Sequence, residues 1–152
     1  MSSEAPSDLH AHLGYWLRVV SNAVSQSFAQ KVEGEGVTVA EWVVLRVLYD
    51  TEGIAPSVLA SRLGMTKGAI SKLADRLVQK DLIERTDRPD GSRGQILALG
   101  QAARALVPRL AALADENDAA FFGVLDPGER QQLDGLLKKI AQERKLANVP
   151  TD

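Results

Sequence analysis

The chain has 152 residues, 45% hydrophobic and 25% charged, with no cysteine and a formal net charge of −2. That length and mix fit one soluble globular domain, and the missing thiols exclude a disulfide framework, a thiolate zinc site and cysteine redox sensing. No apolar run approaches the ~20 residues of a membrane span and no basic-then-apolar leader opens the chain, so the expected location is the cytoplasm.

Residues 1–7, MSSEAPS, are small and polar and are expected to fray. A long helix is predicted from about Asp8 to Lys31, because Leu13, Trp16 or Leu17, Val20, Val24 and Phe28 recur at steps of three and four. Leu9, Tyr15 and Val19 widen that stripe beyond the needs of one small core, which points to a partner subunit. The plainer reading is a helix that covers its own core. Glu33-Gly34-Glu35-Gly36 breaks the pattern as a turn. Thr38-Val39-Ala40-Glu41 then has the form of a capping box, in which Thr38 and Glu41 satisfy each other's backbone donors. The helix it opens carries Trp42, Leu45 and Leu48 and is predicted to end near Tyr49 or Asp50.

Pro56 suits a first helical position, where its missing N–H costs nothing. Leu59 and Leu63 share one face of the short helix that follows, and Gly64 ends it in the left-handed conformation. Thr66 caps a second helix. On that helix Ile70, Leu73, Ala74 and Leu77 form one face, while Lys67, Gly68, Ser71, Lys72, Asp75 and Arg76 cover the rest. Leu82–Thr86 reads as a strand, Asp87–Gly94 is dense in turn formers, and Gln95–Leu99 returns as a second strand. Helix, tight turn, helix and hairpin in that order make a winged helix-turn-helix. Small and cationic side chains near the start of its second helix suit the major groove of double-stranded DNA. The candidate contacts are Ser57, Thr66, Lys67, Gly68, Ser71, Lys72 and Arg76 from the helices, with Arg88 and Arg93 projecting from the hairpin tip toward phosphates or the minor groove.

Net charge argues only weakly against this partner. Between Arg62 and Arg93 eight Lys/Arg face five Asp/Glu, whereas the remainder holds ten basic against fifteen acidic residues. Local charge governs phosphate contact, and so small an excess predicts binding that weakens steeply with salt.

Beyond the hairpin, Gly100 precedes an alanine-rich helix running to about Phe121 or Phe122, with Pro108 inside it as an expected kink. Asp126, Pro127 and Glu129 restart a helix as cap, first residue and capping-box partner. Leu133, Leu136, Leu137 and Ile140 form its apolar face, and Asn148–Asp152 form a tail. Catalytic constellations are missing. His10 and His12 are two residues apart, on different sides of a helix and poorly placed for a metal. There is no HExxH, P-loop, GxGxxG or Gly-x-Ser-x-Gly, and no histidine near Ser57, Ser61 or Ser71. Neither an enzyme nor a cofactor is expected.

The run LASRLGMTKGAISKLADRLVQKDLIERT, with the arginine-bearing hairpin that closes on ILAL, resembles the multiple antibiotic resistance regulator (MarR) family of bacterial winged helix-turn-helix regulators, and the flanking helices match too. The resemblance implies a mainly α fold. Residues 54–99 would form the DNA-binding lobe, and residues 8–31 and 101–147 the N- and C-terminal dimerisation helices. It also implies a short strand near Ile54. The implied partners are a pseudo-palindromic operator and a second copy of the chain, and the implied function is repression, released by a small ligand such as an aromatic acid. His12 and Trp16 are the candidate walls of that ligand's pocket. Two positions depart from the family pattern. Gly100 stands where threonine is usual as a helix cap, and Gly91 stands where the wing's Asp-x-Arg pair would place its aspartate. Asp90, one residue earlier, is then the candidate support for Arg93. A winged-helix protein-interaction module is the competing reading, and a DNA binder without effector is a third. An interaction module would have no need of cations on the hairpin tip.

Overall fold

The computed structural model describes residues 4–151. Of the stretch expected to fray, residues 1–3 lie outside the described residues, as does Asp152 at the end of the tail; Glu4–Ser7 are exposed and irregular. A 3-10 turn, Leu9–Ala11, leads to α1 (Leu13–Glu33), α2 (Val39–Tyr49), α3 (Pro56–Leu63) and α4 (Lys67–Gln79). Strands β1 (Ile83–Asp87) and β2 (Gln95–Leu99) follow, then α5 (Gln101–Phe122) and α6 (Pro127–Glu143). The fold is a mostly helical winged helix-turn-helix, with six α-helices and one antiparallel hairpin among the described residues.

Local chemistry accounts for most of the boundaries. Thr38 Oγ1 accepts the Glu41 N–H at 3.1 Å and Glu41 Oε1 accepts the Thr38 N–H at 2.9 Å, closing the capping box that starts α2. Thr66 Oγ1 accepts the Ala69 N–H at 3.1 Å and starts α4. Asp126 and Glu129 repeat the box at α6, with Pro127 in its first turn. Gly64 ends α3 at φ 63°, ψ 29°, a conformation that would strain any residue with a Cβ. The helix expected from Asp8 begins instead at Leu13. The Trp16 indole Nε1–H bonds the His10 carbonyl at 2.8 Å, taking an acceptor that a continuous helix would have used. α5 runs unbroken through Pro108, which removes one backbone donor without ending the helix.

The core lies between α2, α3, α4, the hairpin and the first half of α5. Val44, Leu45, Leu48, Leu59, Ile70, Leu77, Leu97, Val107 and Leu110 are all fully buried there. β1 and β2 pair in register from Ile83 opposite Leu99 to Asp87 opposite Gln95. Ile54 adds a single antiparallel bridge to Leu97, with N···O distances of 3.0 and 2.8 Å, in place of a full third strand. α1 is anchored to α5 by Asn117, which is buried. Its amide donates to the Val24 carbonyl at 3.1 Å, and its Oδ1 accepts from Ser27 Oγ at 2.7 Å. α6 buries no residue at all in the single chain.

Candidate nucleic-acid interface

α4 is placed by its apolar face. Ile70, Leu73, Ala74 and Leu77 are buried, which turns Gly68, Ser71, Lys72 and Arg76 to solvent. Gly68 and Lys72 are one turn apart on that outer face, and a Cβ at Gly68 would meet nothing within 4 Å. The N-terminal turn of α4 therefore presents a smooth, cationic surface. Ser57 on α3 and Lys67 are exposed as well. Thr66 is exposed, with its hydroxyl engaged as the α4 cap. Among the described residues, Lys67, Ser71, Lys72, Arg76 and Arg93 make no side-chain hydrogen bond and no ion pair. Asp75, the one acid among these side chains, is bonded to Arg85 of β1. Cations without internal partners on one face are free for an external anion.

The hairpin tip treats its two arginines differently. Arg93 is exposed, as expected. Arg88 is half-buried and does not project: its Nε lies against Gly94 and is enclosed without a hydrogen-bond partner. Asp90 is bonded to Ser92 rather than to Arg93. Its Oδ1 accepts the Ser92 N–H at 2.9 Å and the Ser92 hydroxyl at 2.6 Å. Those two hydrogen bonds hold its carboxyl below the usual aspartate range. Asp90 therefore shapes the turn that carries Arg93, and the shift to Gly91 explains why it does not reach the guanidinium.

A model of the MarR family matches residues 35–94, the span that contains this surface. A Thauera aromatica transcriptional regulatory protein assigned to the hcr operon is 29% identical over 132 residues, covering 86% of this chain and 80% of that protein. A Pseudomonas aeruginosa structure assigned as a transcriptional regulator superposes with a TM-score of 0.75 at 28% identity, over 88% of this chain and 99% of that one. The chain is similar to the MarR family across its winged lobe. Staphylococcus aureus MepR, solved in complex with DNA, superposes on it with a TM-score of 0.75 at 25% identity, over 87% of this chain and 98% of the other. The relatives are named as transcription regulators, and one structural neighbour is solved on DNA.

The chain also contains features that its sequence did not announce. Lys80, at the C-terminal end of α4, donates to Glu41 Oε1 at 2.9 Å and to the Gly36 carbonyl at 2.9 Å. Glu41 is fully buried. Burial pushes its carboxyl up, but the hydrogen bonds from Lys80 and the Thr38 N–H outweigh it, and the group titrates below its ordinary value of 4.5. A depressed folded value means that the pair's contribution is complete above that ordinary value and is lost as pH falls through the folded one. A cavity of about 370 Å³ opens between α1, α2, α5 and the tail, lined by Phe28, Val39, Trp42, Val43, Asn117 and Val149 among others. His12 and Trp16 are not part of its lining. His12 stands at the N-cap position of α1 without a side-chain capping bond, its Nδ1 3.3 Å from the Leu9 carbonyl, and Trp16 packs with His10 and Tyr15. No helix of the described residues is long and apolar enough to cross a membrane.

Proposed function

We propose that the chain acts as a homodimeric repressor that seats two copies of α4 in successive major grooves of a pseudo-palindromic operator. The outer face of α4 carries this reading, with Gly68, Ser71 and Lys72 aligned and unobstructed and no internal partner for the cations. Ser57, Thr66, Lys67 and Arg76 flank that face as phosphate or base contacts, Arg93 serves the minor groove from the wing, and Arg88 serves a phosphate beside it. Dimerisation is supported by surface that one chain leaves uncovered. Leu13, Trp16, Leu17 and Val20 on α1, and Leu136, Leu137 and Ile140 on α6, are between 42% and 88% exposed. Exposed large apolar side chains repeated along two helices support an interface there. In this reading residues 8–31 and 101–147 form the dimer and residues 54–99 the DNA-binding lobe, in a cytoplasmic protein.

Release by a small aromatic ligand completes the proposal. The cavity beside Trp42 has the volume of a small-molecule site. His12 and Trp16 lie on the open side of α1, where a partner subunit would complete their surroundings. Asp118 also lines the cavity, so a neutral ring is favoured there over an acid, whereas His12 suits a carboxylate. The deciding experiment is selection of duplexes from a randomised pool by the purified protein, followed by footprinting of the enriched sequence. The expected result is one enriched site with two-fold symmetry, from which aromatic acids or neutral aromatics displace the protein in an anisotropy assay. Failure to enrich any duplex would leave the winged lobe as a protein-docking module.

A further inference from the structure

Among the described residues two helices open with the same local device, and the two copies differ in a way that helix capping does not explain. At α6 the box of Asp126 and Glu129 is exposed, and its acid serves only the cap. At α2 the box of Thr38 and Glu41 is carried into the interior. Glu41 is 0% exposed, its Oε2 has no partner, and its Oε1 accepts from both the Thr38 N–H and Lys80, 39 residues further along the chain. A buried carboxylate with an unsatisfied oxygen is costly, and an ion pair of this kind stabilises a fold less well than apolar packing would. A helix start needs none of it. What the arrangement does supply is a fixed position for the Lys80 ammonium, which also bonds the Gly36 carbonyl.

The three groups joined at this point come from three elements with different tasks. Gly36 belongs to the turn that leaves α1, held by the Val37 N–H to the Val32 carbonyl at 3.2 Å between two buried valines. Glu41 belongs to the first turn of α2. Lys80 caps the far end of α4, its own N–H bonded to Arg76 and Val78 carbonyls. The surface aimed at DNA lies toward the opposite end of α4, with Lys72 about 12 Å and Gly68 about 18 Å away along the axis at ~1.5 Å per residue. Between the two ends α4 rests on four apolar side chains, which resist lifting more than sliding or tilting. We propose that Lys80, held by Glu41 and Gly36, is a positioning residue that fixes the angle of α4 to α1 and so sets the half-site spacing the dimer accepts. The inference rests on the reading of the chain as a DNA-binding dimer. It gives Lys80 and Glu41 a task beyond capping their own helices.

One added base pair moves a half-site ~3.4 Å along the duplex and rotates it by about a tenth of a turn. A rigid dimer cannot follow both changes, whereas one whose α4 helices tilt can. The test measures affinity by anisotropy on the duplex enriched by the wild-type protein, and on the same duplex with one base pair added to or removed from its centre. The variants are Lys80→Arg and the double variant Lys80→Met with Glu41→Met, which removes both charges together and leaves no orphaned ion in the core. Wild type is expected to lose at least about 10-fold on either altered spacing, and the double variant no more than about 3-fold, with sedimentation unchanged and a single cooperative melt retained. Lys80→Arg, which keeps a cationic donor, should restore most of the discrimination. If the double variant fails to fold, Glu41→Gln, which retains the Thr38 contact and weakens the hold on Lys80, carries the same expectation at smaller amplitude. Full spacing discrimination in a folded variant overturns the inference while leaving DNA binding intact. Failure of the wild type to enrich any duplex overturns the DNA-binding reading, and the inference with it.

Discussion

The winged lobe and the terminal helices of this chain use their apolar residues in opposite ways. In the lobe, Leu59, Leu77 and Leu97 are completely buried. On α1 and α6, Leu13 is 88%, Leu136 59% and Ile140 54% exposed, and α6 buries nothing. At roughly 25 cal/mol per Å² of apolar area, the lobe has realised its hydrophobic stabilisation within one chain and the ends have not. On the dimeric reading proposed above, the exposed faces of α1 and α6 serve assembly, while the lobe and the first half of α5 serve folding, so a lesion on those exposed faces should spare the core. The sharpest way to break that division is Leu136→Asp combined with Ile140→Asp. Sedimentation should show a monomer, while circular dichroism retains the helix content of the lobe. Affinity for a two-half-site operator should fall by roughly 10²- to 10⁴-fold, because the second half-site loses its high effective concentration. A dimer that survives both charges would place the interface elsewhere.

Within the lobe, α4 and the wing differ in how firmly they are held. α4 is capped by Thr66, tied by Lys80 and packed on four buried residues. The wing tip is exposed from Pro89 to Gly94, and its order comes from the Asp90–Ser92 turn. A contact from a rigid element should read sequence, and one from a looser element should read shape. Lys72→Ala is accordingly expected to cost about 1–3 kcal/mol if it meets a base, or to lower the salt slope of binding by about one if it meets a phosphate. A salt titration of operator affinity separates the two. Arg93→Ala should have a smaller effect that depends on the DNA. The loss should be greater on A·T-rich flanks, whose narrow minor groove carries the stronger negative potential, than on G·C-rich ones. Arg93→Lys should recover part of it, since lysine keeps the charge without the planar fork. Equal losses on matched A·T- and G·C-rich duplexes would make Arg93 a plain phosphate contact.

The helix starts at Thr38, Thr66 and Asp126, the turn at Gly64 and the paired strands were legible because each depends on residues within four positions or on simple alternation. The face of α4 was legible for the same reason, since its period alone separates Leu73 and Leu77 from Gly68 and Lys72. What escaped depends on contacts between distant segments. Glu41 read as a capping residue, and only the fold brings Lys80 to it across 39 positions. Lys80 consequently counted as one more cation for DNA. Arg88 and Arg93 looked alike in a polar loop, and the path of the turn alone decides that one folds back over Gly94. Trp16 drew attention as an aromatic near a histidine. Trp42, which lines the cavity, was indistinguishable from an ordinary core residue until α5 and the tail closed around it.

Two glycines bring the comparison down to single methyl groups. Gly68 in the first turn of α4 and Gly135 in the interior of α6 each have open space where a Cβ would stand. By helix propensity alone, Gly135→Ala should stabilise the protein by about 0.5–1 kcal/mol. Gly68→Ala should gain less, because a first turn constrains the chain less than an interior one. Gly135 faces away from Leu133, Leu137 and Ile140, so its variant should melt higher with dimerisation and operator affinity unchanged. Gly68 lies one turn before Lys72 on the face proposed to enter the major groove, where DNA supplies the atoms that the protein leaves absent. Its variant should also melt slightly higher, yet bind operator about 3-fold or more weakly, because the added methyl holds the helix off the base edges. A rise in stability joined to a fall in affinity cannot come from damage to the fold. Paired thermal melts and anisotropy titrations of the two variants read both quantities. If Gly68→Ala binds as tightly as wild type, DNA does not approach α4 at Gly68, and the contact would move toward Lys67 and Ser57.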